Sequence, residues 1–135
     1  DCLNVEQGYF VDIKTTKSDI DSMVWVQDEL SGRNIQVRWF EAWGYVLQMA
    51  AYKKMLEEQY GKEFTPIIYA VTKEPTPDTR AIVFQSQEKL DYELTELSML
   101  IQHLDKVKKG EEKAKPCGHC EYCKSKALSQ RVEVI

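Results

Sequence analysis

Within YFVDIKTTKS, Tyr9 to Ser18, an acid and an amine occupy Asp12 and Lys14, two positions apart in a run that otherwise reads as a buried β-strand. A strand alternates its side chains, so both point to one face. Asp1 joins them if Leu3 to Val5 is a short strand folded back through a two-residue turn at Gln7-Gly8. In that register Glu6 faces Tyr9, Val5 faces Phe10, Leu3 faces Asp12 and Asp1 faces Lys14, and opposed residues share a face. A four-residue loop keeps this parity; a three-residue loop reverses it. Two carboxylates and one ammonium are costly to bury without a partner. A hard divalent cation is the natural one, because Mg²⁺ takes one or two protein carboxylates and keeps waters, leaving room for a phosphate and an attacking water. Lys14 could orient that water or neutralise charge growing on the phosphate. The plain alternative is a surface strand carrying an ordinary Asp/Lys pair.

A second polar feature lies in WGYVLQMAAY, Trp43 to Tyr52, which is apolar nearly all round a helix except for Gln48. Tyr45, Gln48 and Tyr52 fall at i, i+3 and i+7, so two phenols and an amide form one stripe. Buried polar groups need partners, and the stripe should face something polar. The alternative is a Gln48 bonded to nearby backbone between two core tyrosines.

The elements that must position these groups follow from periodicity and turn signals. Tyr9 to Thr15 is the second strand of the hairpin, and Ser18 to Gly32 has an N-cap serine and a weak helical pattern. Glu41 to Tyr60 reads as one helix stopped by Gly61. FTPIIYAVT (Phe64 to Thr72) and RAIVFQ (Arg80 to Gln85) are strands separated by a loop with two prolines. Gln87 to Lys109 is a second long helix with a stripe through Leu90, Leu94, Leu97, Leu100, Ile101 and Leu104, and a lysine-rich tail follows. The order predicts an α/β fold with one layer of sheet flanked by helices, a core over 1–109 and a Lys/Cys-rich tail over 110–135.

An Asp, then D-I-K-T-T about ten residues later, then Y-x-x-Q-x-x-x-Y on a helix resembles the PD-(D/E)xK nucleases. Within them the pattern is similar to the RecB-like and phage-type exonuclease branch, which includes exonuclease VIII. The motifs span Asp1 to Tyr52, and the continuation to Lys109 is compatible with that superfamily's restriction-endonuclease-like core, a central mixed sheet flanked by helices. The resemblance implies a metal-dependent DNA exonuclease of phage or prophage recombination or repair. It implies Asp1, Asp12 and the Ile13 carbonyl as ligands of Mg²⁺ or Mn²⁺, Lys14 as the catalytic lysine, and Gln48 and Tyr52 as the pair that positions water, lysine or phosphate. Thr15, Thr16 and Tyr45, beside the site, are candidates for contact with substrate. DNA, a single-strand annealing protein and further copies of the chain are the implied partners. The superfamily also uses an acid or a histidine on an upstream helix, which has no counterpart before Asp1. A chain opening at Asp1 without methionine predicts an N-terminal portion outside this sequence. A nuclease fold that only binds nucleic acid, with the cysteines as a structural metal knuckle, is the competing expectation, and an α/β interaction domain is a third.

CGHCEYC supplies Cys117, Cys120 and Cys123 with His119 inside seven residues. That spacing suits a common metal better than a disulfide framework. Tetrahedral zinc needs four ligands, so His119 or Cys2 is the candidate fourth, and an iron-sulfur cluster would also take four cysteines. Some RecB-like nucleases hold a 4Fe-4S cluster by one upstream and three C-terminal cysteines, and this tail resembles them except for its shorter final spacing. Reduced thiols in a flexible tail are the alternative.

At 135 residues with 43% hydrophobic content, the chain is long enough for one real core. A formal charge of −4 gives no global attraction for nucleic acid, so DNA would have to be held by a local basic strip or by bound cations. The longest apolar run is too short to span a bilayer and nothing resembles a signal peptide, so a cytoplasmic location without membrane contact is expected, in a bacterium or a phage-infected cell.

Overall fold

The computed structural model describes residues 1–17, 19–27, 32–118 and 120–127. The chain forms two compact units, Asp1–Ser98 and Met99–Ile135. In the first, strands β1 (Cys2–Asn4), β2 (Tyr9–Thr16), β5 (Thr65–Thr72) and β6 (Thr79–Val83) form a mixed sheet in the order β1-β2-β5-β6. The central pair β2 and β5 is parallel, and both outer pairs are antiparallel. Parallel neighbours need a crossover, and the intervening chain supplies it through α1 (Trp39–Ala42) and α2 (Tyr45–Tyr60).

The sheet has one packed face. Phe10, Ile68 and Ala70 point into a core with Phe40, Val46, Met49, Ala50 and Phe64. Leu90 and Leu94 of α3 (Gln87–Lys109) pack on the same cluster. Asp12 and Lys14 share the parity of Phe10 and so stand on this helix-covered face. On the other face Ile13, Tyr69 and Val83 remain open to solvent.

Three sequence expectations change in detail. The hairpin closes through four residues, Val5 to Gly8, pairing Cys2 with Val11, Leu3 with Phe10 and Asn4 with Tyr9. Asn4 sets the longer loop: its carbonyl accepts from Gly8 N–H at 3.0 Å and its side-chain oxygen from Gln7 N–H at 2.9 Å. Gly8 sits at φ +70°, where a Cβ would come within 2.8 Å of the Glu63 carbonyl oxygen, so only glycine fits. The register therefore slips by two from the expected one, parity survives, and Asp1 falls opposite Asp12 instead of Lys14.

The described part of 18–32 is not a helix. Met23–Gln27 is strand β3, paired antiparallel with β4 (Asn34–Arg38) as a separate ribbon; Ser18 and 28–31 lie outside the described residues. Val24, Trp25 and Val26 prefer a pleated surface, and a long-range partner outweighed the local cap signal. The expected single helix from Glu41 starts earlier and breaks once. Gly44 at φ +68° separates α1 from α2 and resets the direction in which Tyr45, Gln48 and Tyr52 point. Trp39 anchors the break, buried with its indole N–H donating to the Ile20 carbonyl at 3.0 Å.

In the second unit, the seven-residue helix α4 (Glu121–Ala127) follows the cysteine turn, an element the tail reading did not include. Among the described residues, no helix is long and apolar enough to cross a membrane.

Candidate active site

β2 supplies the charged pair. Lys14 Nζ lies 2.7 Å from Asp12 Oδ2, with the side chains 16% and 14% exposed. Close contact does not complete the carboxylate here. Asp12 Oδ2 is buried and forms no hydrogen bond of acceptable geometry, the lysine included, so the pair is an ion contact rather than an aligned bond. A buried carboxylate oxygen left this way has bonding capacity for another cation.

Asp1 arrives from the end of β1. Its Oδ2 accepts from the Ile13 N–H at 2.7 Å, and its backbone nitrogen donates to the Val11 carbonyl at 3.1 Å. Backbone groups alternate sides along a strand, so Ile13 turns its carbonyl toward the same edge, beyond the last β1 pair and away from β5. Two carboxylates and a carbonyl are hard oxygen donors, which fit Mg²⁺ or Mn²⁺ in type.

α2 brings its polar stripe to this face. The Lys14 ammonium lies 4.4 Å from the centre of the Tyr45 ring, a cation–π distance. Phe10 and Tyr52 meet with ring centroids 6.4 Å apart. Between them Gln48, half-buried, donates through Nε2 to the Tyr52 hydroxyl at 2.9 Å. The amide is therefore held by a neighbour on its own helix and not by nearby backbone. The two ring contacts put Tyr45 over Lys14 and Tyr52 beside Phe10, residues of equal parity on β2.

A cleft of about 350 Å³ opens beside Asp1 and Tyr52, lined also by Leu3, Phe10, Met55, Leu56 and Gln59. Sequence reading stopped the α2 stripe at Tyr52, although Met55, Leu56 and Gln59 continue it at helical spacing. Thr15 and Thr16 fall on opposite faces of β2, the first exposed and the second buried. Both border a second cleft with Trp39, Trp43 and Tyr45. Cys2 is exposed and pairs with Val11, so it faces away from Asp12. In the second unit the sulfurs of Cys117, Cys120 and Cys123 all lie within 4.8 Å of one another; His119 lies outside the described residues.

A parallel strand pair with an antiparallel hairpin at its edge, an Asp-x-Lys on the helix-covered face and a Gln/Tyr helix laid across it define a PD-(D/E)xK nuclease-type domain. The chain belongs to the family described as "PDDEXK-like domain of unknown function (DUF3799)", which matches residues 1–126. Among solved structures it is similar to a "Putative exonuclease" from Eubacterium rectale, at 27% identity and a TM-score of 0.72. That likeness covers 96% of this chain and 45% of the other, so the chain spans less than half the length of its structural relative. No curated protein matches the chain.

Proposed function

We propose that this chain carries the active centre of a metal-dependent deoxyribonuclease that hydrolyses phosphodiester bonds from DNA ends, in phage or prophage recombination or repair. One observation carries the reading: a buried, incompletely bonded Asp12 carboxylate paired with Lys14 lies under the Tyr45-Gln48-Tyr52 stripe. The family and the exonuclease relative support it.

Asp1, Asp12 and the Ile13 carbonyl would hold Mg²⁺ or Mn²⁺, which when bound supplies a Lewis acid for the phosphate and lowers the pKa of water. Lys14 is an ammonium held between Asp12 and the Tyr45 ring, placed to meet negative charge that grows on the phosphate. The Gln48 amide and Tyr52 hydroxyl hold each other in place, and the remaining amide and phenol capacity is available to orient water or a phosphate oxygen. The neighbouring cleft, apolar apart from Asp1, Tyr52 and Gln59, suits a nucleobase or sugar next to the scissile bond.

The test is hydrolysis of an end-labelled DNA duplex by the whole protein, with and without Mg²⁺, beside Lys14→Ala. Cleavage should need the cation and fall by about 10²- to 10³-fold in the variant. Retained cleavage in the folded variant would defeat the assignment, and DNA bound but uncut in Mg²⁺ would describe a nuclease fold that only binds.

A further inference from the structure

We infer that Cys117, Cys120 and Cys123 form three corners of a tetrahedral zinc site that clips helix α4 to the turn before it. The inference is independent of the nuclease reading, because it rests on sulfur geometry in the second unit alone.

Distance separates the candidate metals. Zinc bonded to thiolates at about 2.3 Å in a tetrahedron sets its sulfurs roughly 3.8 Å apart. Cys117 Sγ and Cys123 Sγ are 3.7 Å apart, and the three sulfurs lie within 4.8 Å of one another. A cubane iron-sulfur cluster binds each cysteine to a different iron, which spreads the sulfurs across the whole cluster. Sulfurs gathered this tightly surround one ion. A separation of 3.7 Å is also far beyond an S–S bond, so no disulfide joins Cys117 to Cys123.

The backbone is arranged for sulfur that carries charge. Cys120 N–H points to Cys117 Sγ at 3.3 Å, and Cys123 N–H points to Cys120 Sγ at 3.4 Å. The same amide-to-sulfur contact thus repeats in two successive Cys-x-x-Cys turns, and such donors stabilise thiolate ligands in the way outer-shell hydrogen bonds do around bound metals. Gly118, at φ +77°, allows the first turn to close.

Stability supplies the third argument. Among the described residues from 110 to 127 whose burial is known, Cys123 is half-buried and the others are exposed. A seven-residue helix with no apolar face against a core does not persist in water unaided. Small segments of this kind are held by a metal or a disulfide, and the thiols here are not bridged. Zinc displaces the thiol protons to solvent and fixes the turn and α4 together. Three sulfurs leave the fourth position to water or to another side chain.

The full chain, expressed in zinc-supplemented medium and exchanged into chelator-free buffer, should carry about one zinc per chain by elemental analysis. Cys120→Ser and Cys123→Ser should lose most of that zinc. Cobalt substituted for zinc should show sulfur-to-cobalt charge transfer and the ligand-field bands of a tetrahedral site, a readout that serves even if a serine variant fails to fold. A chain without zinc, zinc content unchanged in the serine variants, or bound iron with a brown visible chromophore would each overturn the assignment.

Discussion

Asp12 and Lys14 reach Tyr45, Gln48 and Tyr52 through a strand and a helix far apart in the chain, whereas Cys117, Cys120 and Cys123 meet within two adjoining turns. The first cluster sits over a core in which Met49 and Ile68 are fully buried; the second has, among the described residues of its own segment, only exposed or half-buried neighbours. A site assembled over distance is as rigid as the core beneath it, since every angle passes through packed side chains. A site made by local spacing needs no core, but it depends on whatever joins its ligands. The first should therefore respond to core mutations and the second to chelation.

The sharpest contrast should come from Asp12→Asn. Removing the carboxylate charge should lower DNA cleavage by about 10²- to 10³-fold, comparable to losing a major electrostatic contribution to catalysis. Zinc content should not change, and a parallel loss of zinc would show that the two sites are not separate.

Next in size is Ile68→Ala, which empties a fully buried position in β5 beside Asp12. Urea unfolding should report a loss of about 2–5 kcal/mol in the first unit. Unchanged stability would mean that the sheet does not hold the site as described.

A smaller effect is expected from Tyr52→Phe, which removes the hydroxyl that accepts from Gln48 at 2.9 Å while keeping the ring beside Phe10. Stability should change by about 1 kcal/mol or less. Turnover should fall by about 10-fold as the amide loses its orientation, with KM nearly constant. A rise in KM at constant kcat would make Tyr52 a binding residue instead of a positioning one.

The smallest concerns Glu41, whose carboxylate caps α1 by accepting from Arg38 N–H at 2.8 Å and pairs with Lys89 of α3. Burial is the largest single influence on its pKa and acts upward. Lys89 and the Arg38 N–H together outweigh it and leave the carboxyl below its ordinary value. A depressed folded pKa contributes stability above the unfolded value, about 4.3, and that contribution fades as pH falls through the folded value. Glu41→Gln should therefore cost about 0.5–1 kcal/mol at neutral pH, the low figure reflecting solvent screening of a partly exposed pair. Below the folded pKa the two proteins should converge. A difference that grows in acid would reverse the sign and remove the cap and ion pair from the account.

Much of the fold was legible because its signals are local. The period-two run from Tyr9 marked β2, the prolines of KEPTPDT separated β5 from β6, and the apolar stripe from Leu90 gave α3 with both ends correct. The Asp-x-Lys parity and the Tyr-Gln-Tyr stripe were visible for the same reason, since each is a spacing within one element. The β3-β4 ribbon was not legible. Its five-residue strands are stabilised by each other, and a single run such as Met23–Gln27 carries no record of its partner.

What the sequence alone determined is which residues lie together: Asp12 with Lys14 and Phe10 on one face, Gln48 with Tyr45 and Tyr52 on another, and three thiols within seven residues. Those facts follow from the fixed periods of strand and helix. Only the tertiary structure decided that the two faces meet. Parallel pairing of β2 with β5 forces the chain to cross over the sheet, and α2, which starts after the break at Gly44, brings the Tyr45 ring over Lys14 and the Tyr52 ring beside Phe10. The hairpin register was likewise beyond local reading, because Asn4 chose the four-residue loop and the Glu63 backbone admits only glycine at its end. Loop length and crossover direction are set by contacts between distant residues, and no spacing within one element contains them.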